Sequence, residues 1–214
     1  MDRTPELASV GEALRVTLEG THQAREVVIA AARRSIQSSA ASIRATHRGE
    51  LDRARALLAE ARDHLAGAEE AVVLHPELRS GGPLPDARKE MAEAALTLAL
   101  VGDEPLPVPA DLGVDAGAYL NGLAEAASEL RRQVLDQLRE GDLGRAEELT
   151  AAMDEVYSLL VTIDYPDAVT GGLRRATDAL RAVLERTRGD LTTTIVADRL
   201  RAAIRSEQER RGTR

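Results

Sequence analysis

Two pairs of glutamates stand out by type and spacing. Glu90 and Glu93 are three residues apart, and Glu125 and Glu129 are four apart. On a helix each pair falls on one face. Their neighbours are apolar: Met91, Ala92, Ala94 and Ala95 around the first pair, Leu123, Ala124, Ala126 and Ala127 around the second. Carboxylates on an apolar helix face are costly unless paired or bound to a cation. If the two helices pack together, four acids converge, and oxygen ligands of this kind suit Mg²⁺ or Mn²⁺. A cation held there could activate water and stabilise the charge of phosphodiester cleavage. Chance is the competing reading. The chain has 36 acids, and Glu69–Glu70, Glu147–Glu148 and Asp154–Glu155 show how readily they cluster. Glu129 also has Arg132 and Arg33 as candidate ion-pair partners.

The second feature is a stretch without acids. Residues 27–49 hold four arginines and one histidine and no carboxylate, in a chain of net charge −8. Charge is sorted along the whole sequence: −2 over residues 1–21, +4 over 22–62, −15 over 63–169 and +5 over 170–214. A uniform solubilising surface would not be divided this way, although exposed helix faces can drift to one sign. The helix expected over 22–48 sets Arg33, Arg44 and Arg48 within about 60° of one another. Such a row can follow a phosphate backbone. His47 lies nearer the apolar side, where it either touches nucleic acid or packs. Arg34 points further round, as plain surface charge. Aromatic residues that would stack bases are nearly absent, with only Tyr119, Tyr157 and Tyr165 present. Recognition of a single strand is therefore expected to run through backbone and shape, with little sequence selectivity. Arg199, Arg201 and Arg205, near the C-terminus, suit either assembly or nucleic acid.

These residues need helices to position them, and the composition supplies helices. Ala, Leu, Arg and Glu dominate, all strong helix formers. The expected fold is all-α, a single-domain bundle of about seven helices over residues 1–214. Thr4 and Pro5 read as an N-cap and first helical residue. That helix runs to about 19, with Gly20 and Thr21 either breaking it or carried through. Further helices are expected over 22–48, 50–74, 86–101, 115–140 and 143–163. Gly49 and Gly141 act as stops, Asp86 and Asp115 as caps, and 75–86 and 102–114 as Pro- and Gly-rich loops. Tyr165-Pro166-Asp167 reads as a turn. Thr170 reads as the cap of a helix to about 188, and Gly189-Asp190 as a break before a last helix to about 208. The Arg-rich end, about 208–214, is expected to fray. Tyr157 and Tyr165 are expected in the core or at an interface.

Absences narrow the classes. Cys is missing, so no disulfide or thiolate metal site can form, which suits a reducing cytoplasm. No apolar run nears the roughly 20 residues that span a bilayer, and the first residues show no signal-peptide pattern. There is no Ser-His-Asp set, phosphate-binding glycine loop or GxGxxG. His22, His47, His64 and His75 have no ligand-like spacing. One lysine, Lys89, stands against 27 arginines, a bias that a GC-rich genome would produce.

Several motifs resemble the translin family, which includes translin and translin-associated factor X. REVVIAAARRSIQSSAASIRATHRGELDRARALLAEA is similar to the family's amino-terminal helices. In DAGAYLNGLAEAASELRRQVLDQLREGDLGRAEEL, the pieces Tyr119-Leu120, Gly122-Leu123, Ser128-Glu129-Leu130 and Gly141-Asp142 resemble its carboxy-proximal signature. MDEVYSLLVTIDYPDAVTGGLRRATD resembles the archaeal branch. The resemblance covers about residues 22–200. It implies a seven-helix domain that assembles into a hollow homo-octamer and binds single-stranded RNA or DNA, possible partners including short RNA duplexes. In the branch like translin-associated factor X it also implies metal-dependent endoribonuclease activity. KEMAEA (89–94) resembles the place of two catalytic glutamates there, which carries over to Glu90 and Glu93. GLAEAASELRR (122–132) resembles the place of the other two acids, Glu125 and Glu129 here. The catalytic branch has Asp where this chain has Glu125, so the charge is kept and the arm is longer. Two other classes stay open: a nucleic-acid binder without catalysis, and a helical scaffold whose partner is another protein.

Overall fold

The structure, a computed structural model, describes residues 3–212. Six long helices carry it: α1 (Thr4–His47), α2 (Leu51–Val73), α3 (Leu84–Gly102), α5 (Ala116–Glu140), α6 (Leu143–Leu160) and α8 (Leu173–Gly212). Two single-turn helices, α4 (Pro109–Leu112) and α7 (Asp167–Thr170), and a 3-10 turn at Pro76–Leu78 fill the connections. No strand occurs among the described residues. The all-α expectation holds.

Boundaries follow the sequence signals with informative exceptions. Gly49, at φ 73°, turns the chain between α1 and α2, because this left-handed geometry burdens any residue with a Cβ. The Asp115 side chain accepts from the Ala118 backbone N–H at 2.9 Å and caps α5 as expected. Arg3, not Thr4, takes the cap of α1, and the helix passes unbroken through Gly20. Pro83 rather than Asp86 stands at the cap of α3. The helix starts at Leu84, which is fully buried, and leaves Asp86 in the first turn, where its charge suits the helix dipole.

The largest correction concerns α8. Thr170 does not cap it but ends α7. Gly171 and Gly172 then turn the chain, and α8 runs without a break from Leu173 through Gly189. Asp190 does not cap a new helix, because its carboxylate is taken by Arg131 of α5 at 2.7 Å. The hydroxyls of Thr193 and Thr194 donate back to the Gly189 and Asp190 carbonyls. A mid-helix glycine costs only about 1 kcal/mol relative to alanine, and these contacts outweigh it. Nor does the helix fray from 208: it reaches Gly212, with Arg210 and Arg211 both paired to Glu207. Residues 213–214 of the expected frayed tail lie outside the described residues.

α3 is the centre of the bundle. It is buried almost all round, with Leu84, Ala87, Met91, Ala92, Ala94 and Leu96 fully covered. The α1/α2 hairpin packs on one side of it and α5 on another; α6 and α8 pack against α5. Ser35 donates to the Ala61 carbonyl and Ser42 to the Ala54 carbonyl, both at 2.8 Å, stitching α1 to α2. Tyr119 ties the Pro107 carbonyl to α5 at 2.9 Å. Tyr157 packs against the core, whereas Tyr165 is exposed and takes no part in it.

Gly122 sets the spacing of α3 and α5. A Cβ built on it would stand 2.9 Å from the Glu93 nitrogen, 2.9 Å from the Lys89 carbonyl oxygen and 3.0 Å from the Ala92 Cβ. The two backbones thus touch where no side chain could fit. Away from this centre both long helices leave the body. No buried residue precedes Val28 on α1 or follows Leu191 on α8 among the described residues. Leu7, Val10, Leu14 and Leu18 stand exposed on one projecting end, and Val196, Leu200 and Ile204 on the other. No helix is long and apolar enough to cross a membrane among the described residues.

The two glycines predict opposite outcomes. Gly122→Ala should cost about 1–3 kcal/mol, because an inserted methyl group meets backbone that has to move. At Gly189 nothing lies within 4 Å of the added Cβ, so Gly189→Ala should leave stability unchanged or raise it by up to about 1 kcal/mol. Urea denaturation followed by circular dichroism measures both.

Candidate functional site

The close approach at Gly122 brings the two glutamate pairs together. Glu90 and Glu93 stand on α3, and Glu125 follows Gly122 by three residues on α5. One carboxylate oxygen from each of Glu90, Glu93 and Glu125 lies within 4.8 Å of the others. Glu93 is the deepest of the three, at 7% exposure. Its carboxyl is pushed up to about 9, by burial first and then by the charges of Glu125 and Glu90, with Glu129 adding to them. At neutral pH Glu93 therefore holds a proton and shares a hydrogen bond with Glu125.

Glu129, the fourth ligand expected from the sequence, is not among the three whose oxygens converge. It lies near enough to act on Glu93 by its charge but is turned to a different partner. His47, at the end of α1, meets it Nε2 to Oε2 at 2.6 Å. Gln133 lies one helical turn beyond Glu129, and its Nε2 stands 3.2 Å from Nδ1 of the same ring. A carboxylate can only accept, so Nε2 carries the proton that faces Glu129, while Gln133 holds the other side of the ring. The hydrogen bond from His47 holds the Glu129 carboxyl below its ordinary range against the opposing effect of burial, with the charges of His47 and then Arg132 helping. Of the two ion-pair partners expected for Glu129, Arg132 thus contributes only its field, and Arg33 forms no pair with it among the described residues.

Lys89 completes the cluster. Its Nζ donates to both oxygens of Glu125, at 2.6 and 2.8 Å, and stands 3.2 Å from Glu90. Burial alone would lower its pKa, but the hydrogen bond and charge of Glu125, with Glu90, more than reverse this and raise it. Four acids, one ammonium and one imidazole thus share the α3–α5 contact.

The expected arginine row divides. Arg33 and Arg44 are exposed on α1 and make no ion pair among the described residues. Arg48 is exposed too, but its guanidinium is held by Glu50 at 2.6 and 3.2 Å. His47 is separate from all three: its ring is 3% exposed and turned inward. Of the two outcomes the sequence left open for it, nucleic-acid contact or packing, the structure shows packing, against Glu129.

Three contributors were missed. Lys89 was set aside as compositional bias, yet it is the one lysine of the chain and borders Glu90. Gln133 gives no signal except its four-residue spacing from Glu129. Gly122 was noted only as part of a motif; a glycine inside a long helix, facing Ala92 and one turn before Glu125, is the mark of backbone contact.

Chemically the cluster is a hard-oxygen site. Three carboxylates with oxygens within 4.8 Å of one another make a donor set of the kind that hard cations such as Mg²⁺, Mn²⁺ or Ca²⁺ accept. The displaced pKa of Glu93 fits as well, since acids crowded to this degree are relieved by a cation.

Fold and site together define an all-helical bundle with a carboxylate centre where its two innermost helices touch. The chain belongs to the translin family. It is similar to the solved structure of AfC3PO in complex with duplex RNA, at 32% identity and a TM-score of 0.76, covering 87% of this chain and 96% of that one. The crystal structure of AfC3PO matches with a TM-score of 0.75. Apo-NeC3PO, at 18% identity and a TM-score of 0.77, shares the fold. An uncharacterized protein of Methanocaldococcus jannaschii is 32% identical over 128 residues, 59% of this chain. The matched region spans just over half of that relative, 57% of its length. No protein-family model matches the sequence.

Glu93 makes the stability of the protein depend on pH. Its folded pKa lies above its unfolded value, so the folded chain binds the extra proton and the unfolded chain releases it first. That contribution is complete below about pH 4.5, the ordinary value, and is lost as pH rises toward about 9. In EDTA, the melting temperature should fall over this window. Glu93→Gln should flatten the fall and raise the melting temperature at pH 8, as read by calorimetry.

Proposed function

We propose that this protein binds RNA and cuts it endonucleolytically with a divalent metal, as part of a homo-octameric shell. The observation that carries the reading is the convergence of Glu90, Glu93 and Glu125 on one point across the α3–α5 contact. It is supported by the likeness to AfC3PO, whose structure was solved with duplex RNA. Short duplexes and single strands of RNA, and single-stranded DNA, are the substrates and ligands of this reading.

Glu90, Glu93 and Glu125 would hold Mg²⁺ or Mn²⁺. When bound, the cation supplies positive charge to the phosphodiester transition state and makes water more acidic. The chain does the rest. Glu129, kept ionised by His47, adds negative charge beside the site and favours cation over proton. Glu93 releases its proton as the carboxylates are neutralised, so cation binding tightens with rising pH. Arg33 and Arg44, exposed and unpaired, offer guanidinium groups to backbone phosphates, with Arg48 available once it leaves Glu50. The exposed apolar residues at the projecting ends of α1 and α8 support self-association, because patches of this kind are covered in assemblies.

One observation favours a second reading, a binder without catalysis. Lys89 and His47 already satisfy three of the acids without any ion. The two readings part in one assay. Single-stranded RNA is incubated with the protein in Mg²⁺, in Mn²⁺ and in EDTA. The nuclease reading expects cleavage with metal only, slowed at least about 100-fold by Glu125→Gln with binding kept. Equal cleavage by both proteins would remove the carboxylates from catalysis. Intact RNA, with oligonucleotide binding abolished by Arg44→Glu, would make the protein a binder. Affinity that does not fall as salt rises would exclude phosphate neutralisation altogether.

A further inference from the structure

The chain contains 27 arginines and one lysine. Arginine serves wherever else a side-chain cation other than histidine meets an acid: Arg55 on Glu104, Arg88 on Glu69, Arg131 on Asp190, Arg188 on Asp154. The single exception stands among the proposed metal ligands. There the cation is an ammonium, bonded to both oxygens of Glu125 and close to Glu90. The difference is physical. A guanidinium is a flat fork that locks two oxygens in one plane. An ammonium is a compact point charge on a flexible four-carbon stem, close to a small metal ion in how it is surrounded by oxygen. It can occupy a cation's place and can also leave it.

Lys89 has somewhere to go. It borders a cavity of about 380 Å³ between the starts of α3 and α5, also lined by Ser80, Asp86, Asp115 and Asn121. Asp86 lies three residues before Lys89 on the same helix, so both fall on one face. The cavity therefore offers carboxylates to an ammonium that moves off Glu90 and Glu125. The titratable groups around Lys89 are those four acids, Glu93 beside Glu90 and Glu125, and Arg88, which also lines the cavity.

We infer that Lys89 is a built-in competitor for the divalent cation: its ammonium holds Glu90 and Glu125 until the ion enters, then withdraws into the cavity beside Asp86 and Asp115. The lysine keeps the crowded acids from repelling one another without metal, and it sets the ion concentration at which the centre fills. This rests on the metal-centre reading above. A merely structural lysine, tying α3 to α5, makes the opposite prediction, since losing it would loosen the ligands and weaken the ion.

The two are separated by binding measurements that need no RNA. Mn²⁺ binding to the full chain is followed by the loss of the free-ion electron paramagnetic resonance signal, for the native protein, Lys89→Met, Lys89→Arg and Glu125→Gln. Lys89→Met should bind Mn²⁺ about tenfold more tightly. Glu125→Gln should bind it weakly. Because the chain has one lysine, ¹³Cε-lysine labelling of the native protein gives a single resonance for Lys89, which Mg²⁺ should shift saturably. That readout stands even if Lys89→Met fails to fold. Equal or weaker Mn²⁺ binding by folded Lys89→Met overturns the role of the lysine and leaves the metal centre in place. So does Mg²⁺ saturation with an unmoved lysine resonance. Mn²⁺ binding that ignores Glu125→Gln puts the ion elsewhere, and no binding by any form removes the metal centre and with it this inference.

Discussion

A contact between two backbones governs this protein. At Gly122 the main chain of α5 rests on the main chain of α3, with the Glu93 nitrogen and the Lys89 carbonyl oxygen 2.9 Å from where a methyl group would be. Helices normally pack with their axes 8–10 Å apart, depending on the side chains between them. A glycine opposite Ala92 brings them toward the near limit. Carboxylates that would face each other across a layer of side chains are instead forced into one small volume. The elevated pKa of Glu93 follows from that proximity, as does the need for compensating cations. The alanine-rich stretches around it, Ala92 to Ala95 and Ala124 to Ala127, continue the thin interface along both helices.

The electrostatics of the cluster is a second consequence of the same constraint. Four acids in one place cannot all stay ionised. The structure resolves the conflict in three ways: Glu93 is protonated, Glu125 and Glu90 share the ammonium of Lys89, and Glu129 is paired with His47 from a third helix. Lys89 of α3 reaches Glu125 of α5 and His47 of α1 reaches Glu129 of α5, so α1, α3 and α5 are bound through the site as well as through the core. The proposed metal centre and a structural keystone thus occupy the same residues, which is a reason for stability and cation binding to respond together to pH.

Much of this was legible in the sequence. Helix starts and stops at Gly49, Asp115 and Gly141 follow local rules, and the two glutamate pairs could be named from spacing and apolar surroundings alone. What failed did so for identifiable reasons. Gly189 and Asp190 look like a break, but Arg131, 59 residues away in sequence, takes the aspartate. A long-range partner of this kind leaves no local trace. The register already set His47 nearer the apolar side, but which group it would meet there depends on which helix α1 packs against. Lys89 was dismissed because its rarity was judged against the genome instead of against its neighbours. The convergence of the pairs depended on α3 and α5 being adjacent, which periodicity does not specify.

The unbroken course of α8 has a mechanical implication. A rod of 40 residues without a joint carries force along its axis and in bending. Its free end bears Val196, Leu200 and Ile204, while its inner part is fastened to α5 by the contacts of Arg131 with Thr187 and Asp190. Arg131 sits two residues from Glu129. Whatever grips the distal half of that rod therefore has a stiff lever on the helix that carries half of the acids, and a flexible hinge at Gly189 would have severed it.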